Sequence, residues 1–211
     1  MMWFLAGSET ICFILSYRIQ PNTYPQCQMD LALAVMHVRA HAHAHARKYG
    51  IDENRILVVG ASAGGHLCAS TAMLHEELKT EIFCAHLELE KLYGRISARP
   101  DGVGLLYPVI SFTSEYHEGS CRCNTGGNPD LQKKLSVELH DLTGYPPIYA
   151  YANLDDGCVP ASNTIRLDAA LAGVKHLCET FPTGDHGIGL GYGTSAKAWS
   201  EHMLRFFDET L

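Results

Sequence analysis

The stretch that decides the fold is residues 55–65, which read Arg-Ile-Leu-Val-Val-Gly-Ala-Ser-Ala-Gly-Gly. Its first half is a short, continuously apolar run of the kind that forms a strand buried on both faces of a sheet. Its second half contains a G-x-S-x-G motif over residues 60–64 with Ser62 at the centre, and a helical pattern of small residues follows at once. A strand, a sharp turn carrying a serine and a helix together predict a nucleophile elbow.

The rest of the chain alternates short β-rich runs with longer helical patterns. This alternation predicts an α/β fold, a three-layer α/β/α sandwich around a mostly parallel sheet. Strands are predicted at residues 10–17, 55–60, 102–107, 148–152 and 175–181. Helices are predicted at residues 26–49, 65–78, 160–172 and 195–207, with Gly50 ending the first of them. With neither a repeat nor a linker in the sequence, we expect one domain over residues 1–211, in which residues 109–145 form a cap-like or pocket-forming insertion.

The composition excludes several classes of protein. The 211 residues are 46% hydrophobic and 18% charged, which is enough apolar material for a full core. The net charge is −7 and no basic run is longer than two residues, so nucleic acid and an anionic membrane surface are not expected partners. The amino-terminal residues 1–5 carry no basic group, and no apolar run reaches the roughly 20 residues that cross a bilayer. We therefore expect a cytoplasmic protein.

A histidine-rich segment in the first predicted helix raises the question of a metal site. His37, His41 and His45 follow one another at intervals of four residues, a spacing that places them on one helical face. No acidic residue or cysteine completes the set locally. We therefore expect a solvated, alanine-rich helix, no metal site and no cofactor.

A serine hydroxyl needs a base to take its proton and an acid to orient that base. After a nucleophile elbow, the two partners are expected on loops that follow later strands, in the order acid and then histidine. His186 lies in a Gly-Asp-His-Gly loop just after the predicted strand 175–181. Asp155 and Asp156 follow the predicted strand 148–152, and the residues alone do not decide between them. The aspartate that is not used is expected to be a solvated turn residue or a helix cap.

The motifs of this chain resemble those of α/β-hydrolase esterases related to acetyl xylan esterases and the feruloyl-esterase-like group. The resemblance extends over nearly the whole chain, and the matching stretches are residues 49–52, 55–56, 60–67, 100–101, 107–111, 117–120, 146–147 and 184–187. In that family the acid stands in a D-x-x-V-P context, which here begins at Asp156. The resemblance therefore implies Asp156 as the acid. It also implies hydrolysis of carboxylic esters without a cofactor, often of acetyl groups on plant-wall oligosaccharides.

The chain departs from the family pattern at its amino-terminal side. It has no H-G-G-G-type loop before Ser62, and such a loop supplies oxyanion donors in the family. The family's usual first three strands are also missing, and the third of them lies between the strands predicted here at 10–17 and 55–60. Its absence implies either a gap in the sheet or direct pairing of these two strands. Because a free strand edge invites pairing with another chain, a homodimer is the expected assembly.

The sequence thus predicts a serine ester hydrolase of the N-terminally truncated α/β-hydrolase fold, and a weak one because the oxyanion loop is missing. Its expected substrate is a small-molecule or oligosaccharide ester. In the expected site, Ser62 is the nucleophile, Asp156 the acid and His186 the base. The N–H of Ala63 is the expected oxyanion donor. The residues expected to line the substrate pocket are Tyr107, Tyr116 and His117. Two alternatives stay open, namely a peptidase or amidase of the same fold and an inactive, truncated homologue.

Overall fold

The computed structural model of this chain describes residues 10–49 and 51–211, without the side chains of residues 43–49. Gly50, predicted to end the first helix, and the side chain of His45 lie outside the described residues. Elsewhere the chain alternates helices and parallel strands. The elements in chain order are α1 (Gln26–Tyr49), β1 (Leu57–Ala61), α2 (Ala63–Met73), α3 (His75–Ala85), α4 (Leu87–Tyr93), β2 (Gly102–Leu106), α5 (Glu118–Thr125), α6 (Pro129–Leu135), a 3₁₀ helix (Val137–Leu139), β3 (Ile148–Asn153), α7 (Ser162–Ala170), β4 (His176–Phe181) and α8 (Trp199–Thr210).

The four strands form one parallel sheet in the order β1-β2-β3-β4. The pairing register aligns Gly60 with Leu105, Leu105 with Ala150 and Ala150 with Cys178 across the sheet. Since all four strands run the same way, their carboxyl ends meet at one edge. In open α/β sheets, ligands bind outside this edge.

Helices cover both faces of the sheet. On one face, α2 and α7 contribute Leu67 and Leu167 to a core that contains the strand residues Val58 and Val103. On the other face, α8 packs an apolar stripe of Trp199, Met203, Phe206 and Phe207 against the aromatic side of β3. The predicted three-layer α/β/α sandwich is therefore confirmed. Among the described helices, none combines the length and apolar composition that a membrane crossing requires.

The strand predicted at residues 10–17 is wrong. This segment has no regular secondary structure, and it leaves Ile11, Phe13 and Ile14 about half exposed or more, with relative exposures of 47%, 64% and 59%. A strand is stabilised by hydrogen bonds to a neighbour, and no described residue pairs with the outer edge of β1. The sequence analysis expected either a gap in the sheet or direct pairing of this segment with β1. Direct pairing with β1 does not occur. Leu15 and Tyr17 instead pack against the core.

Two other regions differ in detail from the predictions. The predicted helix 65–78 is interrupted at Leu74, where α2 ends and α3 begins. The insertion at residues 109–145 is more regular than expected, because it contains α5, α6 and the 3₁₀ helix. Its apolar residues Val109, Phe112 and Leu135 are fully buried, and they form a cluster that also includes Val159 from outside the insertion.

The turn between β1 and α2 is so tight that two of its glycines have no room for a side chain. A Cβ atom added at Gly60 would lie 2.2 Å from the backbone oxygen of Gly64. One added at Gly65 would lie 2.7 Å from the Cβ of Pro108, on the loop after β2. A Cβ at Gly64, by contrast, would meet no atom within 4 Å. The glycines at 60 and 65 therefore allow the turn to close.

These contacts predict effects of different size on stability for alanine at positions 60 and 64. Gly60→Ala forces a methyl group into the backbone of Gly64 and is expected to lower the free energy of unfolding by about 3 kcal/mol or more. Gly64→Ala is the matched control, and it is expected to change stability by less than about 1 kcal/mol because the space is open and alanine favours helix. Urea denaturation of both variants measures the difference, and equal midpoints would contradict the assigned contact.

Candidate active site

Ser62 lies at the tip of the turn between β1 and α2. Its backbone is left-handed, with φ 54° and ψ −121°, although it is not glycine. Neighbouring backbone groups hold it there: its N–H donates to the carbonyl of Leu106 at 2.9 Å, and its own carbonyl accepts from Val109 at 3.2 Å. A strained residue that is fixed by its surroundings is a common feature of active sites. The strain turns the hydroxyl of Ser62 toward the loop that follows β4.

His186, on the loop after β4, joins Ser62 to an acid. Its Nε2 lies 2.8 Å from the Oγ of Ser62, and its Nδ1 lies 2.7 Å from Oδ2 of Asp156. A carboxylate accepts hydrogen bonds, so the neutral ring carries its proton on Nδ1. Nε2 then presents a lone pair to the serine hydroxyl. The three side chains therefore form one continuous hydrogen-bonded series.

Asp156 is held with its carboxylate facing the imidazole. Its side chain is fully buried, and its second oxygen, Oδ1, accepts hydrogen bonds from the backbone N–H groups of Cys158 at 2.8 Å and Val159 at 2.9 Å. These two donors fix the orientation of the carboxylate. The structure thus brings Asp156, and not Asp155, to the ring of His186.

Asp155 has a separate role, although it lies next to Asp156 in the chain. Its Oδ1 accepts hydrogen bonds from the N–H groups of Gly184 at 2.9 Å and Asp185 at 2.8 Å. It thereby ties the loop that carries His186 to the loop after β3. Asp155 is an exposed turn residue, as expected, and these two hydrogen bonds are the part that the sequence did not predict. Only the folded distance between the two loops reveals this contact, because about thirty residues separate them in sequence.

Ala63 is the first residue of α2. Its N–H belongs to the first turn of the helix and has no acceptor within it. The positive end of the helix dipole adds to the attraction for negative charge at this place. An oxygen that gains negative charge beside Ser62 would meet a donor here.

The three residues predicted to line a substrate pocket lie in different surroundings. Tyr107 is buried, 4% exposed, and its ring lies against that of His186. Tyr116 is exposed at 41%. His117 caps α5, with its Nδ1 accepting a hydrogen bond from the N–H of Ser120 at 3.1 Å. Of the three, Tyr107 is the one that contacts the hydrogen-bonded series.

Two buried polar side chains that the sequence analysis did not identify attach the insertion to helices that flank the sheet. Asn163 of α7 is fully buried, and its Oδ1 accepts from the N–H groups of Ile110 and Ser111 at 3.0 and 3.1 Å. His66 of α2 is also fully buried, with its Nε2 2.9 Å from the carbonyl oxygen of Leu135. The insertion is therefore hydrogen-bonded to both α7 and α2.

Within the part of the chain that the structure describes, no three His, Cys, Asp or Glu side chains are grouped so that they could hold a metal ion. In the histidine-rich helix, the rings of His37 and His41 lie 4.0 Å apart. The Nδ1 atom of His37 is 2.9 Å from the hydroxyl of Tyr93. The described histidines of this helix are thus engaged with each other and with Tyr93.

The chain is similar in sequence and in structure to known hydrolases of esters. The BD-FAE family model matches residues 5–104. The crystal structure of an acetyl ester-xyloside bifunctional hydrolase from Caldicellulosiruptor lactoaceticus is similar, with 33% sequence identity and a TM-score of 0.78. The match covers 92% of this chain and 69% of that one. The fold is that of the α/β hydrolases. Within that fold, the chain belongs to an esterase family of the group that includes this solved relative, which confirms the resemblance noted in the sequence motifs.

Two curated relatives are longer proteins. Endo-1,4-beta-xylanase B from Butyrivibrio fibrisolvens is 31% identical over 196 residues, which are 89% of this chain and 29% of that protein. Acetylxylan esterase from Xylanibacter ruminicola is 28% identical over 195 residues, which are 85% of this chain and 34% of that protein. The chain therefore spans about a third of the length of these relatives.

His66 predicts a pH dependence of stability. Burial lowers its pKa from 6.5 to about 4. As the pH falls, the unfolded chain therefore binds a proton at this residue at a higher pH than the folded chain does. The stability contributed by the neutral ring is present above pH 6.5 and is lost as the pH falls toward 4. Between pH 7.5 and 5.5 we expect a loss of about 1 kcal/mol from this residue.

Urea denaturation at the two pH values measures this loss. His66→Gln is the control, since its amide can donate to Leu135 but does not titrate in this range. The variant should lose less stability than the wild type on acidification. An equal loss in both proteins would contradict the assignment to His66.

Proposed function

We propose that this chain is a serine carboxylic-ester hydrolase, and that it removes acetyl groups from small acetylated carbohydrates. The observation that carries the proposal is the series Ser62–His186–Asp156, with hydrogen-bonding distances of 2.8 and 2.7 Å. Such a series activates a serine for attack on an acyl carbon in many unrelated folds. Membership of an esterase family supports ester chemistry on this fold.

In the first half of the reaction, Oγ of Ser62 attacks the ester carbonyl carbon while Nε2 of His186 takes the hydroxyl proton. Asp156 keeps the imidazole in the required tautomer and stabilises its charged form. The carbonyl oxygen becomes negatively charged and accepts a hydrogen bond from the N–H of Ala63. When the C–O bond breaks, His186 gives its proton to the leaving alcohol, and the acyl group stays on Ser62.

In the second half, a water molecule attacks the acyl carbon and His186 takes a proton from it. Collapse of the intermediate releases the carboxylic acid product, and His186 returns the proton to Ser62. Ala63 is the one oxyanion donor that the motif analysis provides, and one such donor contributes about 10²–10³ to kcat. An enzyme that uses this donor alone is accordingly expected to turn over slowly.

The substrate class rests on similarity. The solved relative from Caldicellulosiruptor lactoaceticus is described as an acetyl ester-xyloside bifunctional hydrolase, and a curated relative is an acetylxylan esterase. Both names mention an acetyl group and a xylose-based carbohydrate. We propose the same kind of substrate for this chain, an acetyl ester of a carbohydrate hydroxyl group. The series Ser62–His186–Asp156 is suited to the hydrolysis of such an ester.

The proposal predicts that a fluorophosphonate probe labels Ser62, because the probe reacts with a serine whose proton is removed by a neighbouring base. Ser62→Ala is expected to abolish both labelling and turnover of acetylated xylo-oligosaccharides. Mass spectrometry identifies the labelled residue, and release of acetate measures turnover. Matched acetyl-ester and peptide substrates are assayed in parallel with the same preparations.

The outcomes separate the candidate functions. Turnover that is unchanged in Ser62→Ala would overturn the assignment of the nucleophile. Cleavage of the peptide in preference to the ester would indicate an amidase. A cooperative thermal melt without any labelling would indicate an inactive homologue.

The two neighbouring aspartates provide a matched pair. Asp156→Asn is expected to lower kcat by about 10⁴, because the amide no longer holds the tautomer that accepts the serine proton. Asp155→Asn keeps an oxygen that can accept from Gly184 and Asp185, so its loss of kcat is expected to stay below about tenfold. Steady-state kinetics on the same acetate ester measures both values. The reverse order of effects would assign the acid to Asp155.

A further inference from the structure

Tyr107 lies at the end of β2 in an unusual backbone conformation. Its φ is 38°, which is rare for a bulky residue that is not glycine. The residue is held in place because its N–H donates to the carbonyl of Tyr151 at 2.7 Å. The next residue, Pro108, lies close against Gly65 of the elbow helix. Such strain persists only where the surroundings impose it, and it commonly marks a functional position.

The ring of Tyr107 contacts the imidazole of His186. The ring centroids are 4.9 Å apart and the planes meet at 64°, an edge-to-face arrangement. On its other side Tyr107 meets Tyr151 at 5.7 Å, and Tyr151 stacks on Trp199 of α8 at 5.5 Å. An aromatic column therefore runs from α8 through β3 and β2 to the imidazole. Its three members other than His186 are at most 4% exposed.

The same column holds the loop that carries His186. The indole Nε1 of Trp199 donates to the carbonyl of Gly189 at 3.0 Å. Gly189 follows His186 by three residues. Trp199, one member of the column, thus fixes the loop close to the imidazole.

We propose that Tyr107 is a positioning residue, whose ring keeps the imidazole of His186 aligned between Asp156 and Ser62. The proposal rests on the proposed function. The two hydrogen bonds of the imidazole restrain its two nitrogens, and the edge-to-face contact restrains the tilt of the ring. A misalignment of about 1 Å in such a group can cost about a hundredfold in rate.

Three variants test this role. Tyr107→Leu removes the aromatic contact and is expected to lower kcat for an acetate ester by about 10- to 100-fold, with KM within about twofold. The rate of fluorophosphonate labelling of Ser62 should fall in parallel, because labelling needs the same base. Tyr107→Phe keeps the ring and should restore kcat to within about threefold of the wild type. Tyr149→Leu is the control, since Tyr149 is fully buried on β3 and its hydroxyl donates to Glu179 at 2.8 Å.

Tyr149→Leu is expected to lower the melting temperature but to keep kcat. The proposal is overturned if Tyr107→Leu keeps the kcat of the wild type, if it raises only KM, or if Tyr149→Leu loses as much kcat. If Tyr107→Leu does not fold, Tyr107→Met fills more of the same space and is judged by the same criteria. Failure of the proposed function has a different signature, namely that the wild type is not labelled or that Ser62→Ala still turns over the ester.

Discussion

The site depends on the space available where β1 turns into α2. The chain reverses direction there with the backbone of residue 60 so close to Gly64 that no side chain fits at position 60. The turn leaves Ser62 in a left-handed conformation and begins α2 at the next residue. The turn is also joined to the end of β2 and the loop after it, through the hydrogen bonds that Ser62 makes with Leu106 and Val109. A looser turn would lose the direction of the hydroxyl and the position of the helix N-terminus together.

Parallel strands bring the other groups to the same edge. The loops after β2, β3 and β4 each bring one side chain to the candidate site, namely Tyr107, Asp156 and His186. The two adjacent aspartates make different contacts, since Asp156 is hydrogen-bonded to the imidazole and Asp155 to the backbone of the loop that carries it. The insertion at residues 109–145 is fastened in a similar way, by the buried Asn163 and His66. Buried polar side chains whose hydrogen bonds join separate segments give such a site its rigidity.

Much of the fold could be predicted from local pattern. The strands that became β1 to β4 are apolar runs between turn residues, and the bounds of α1 follow from its helical pattern. The segment 10–17 has the same apolar character but forms no strand, because a strand needs a partner and the outer edge of β1 has none among the described residues. The short helices α3 to α6 were not predicted, since tertiary packing stabilises short helices more than their own propensity does. In each of these cases the missing information was the identity of the spatial neighbour.

By itself, the sequence determined the elbow around Ser62, the loop position of His186 and the chain positions of β1 to β4, because each depends on residues adjacent in the chain. It left Asp155 and Asp156 unresolved, and the resemblance to a family pointed to Asp156. Only the tertiary structure showed which carboxylate faces the imidazole, that the ring of Tyr107 contacts the imidazole, and that His117 caps a helix. The physical reason is that a side chain's direction is set by hydrogen bonds and contacts between distant segments, and these exist only after the loops have met.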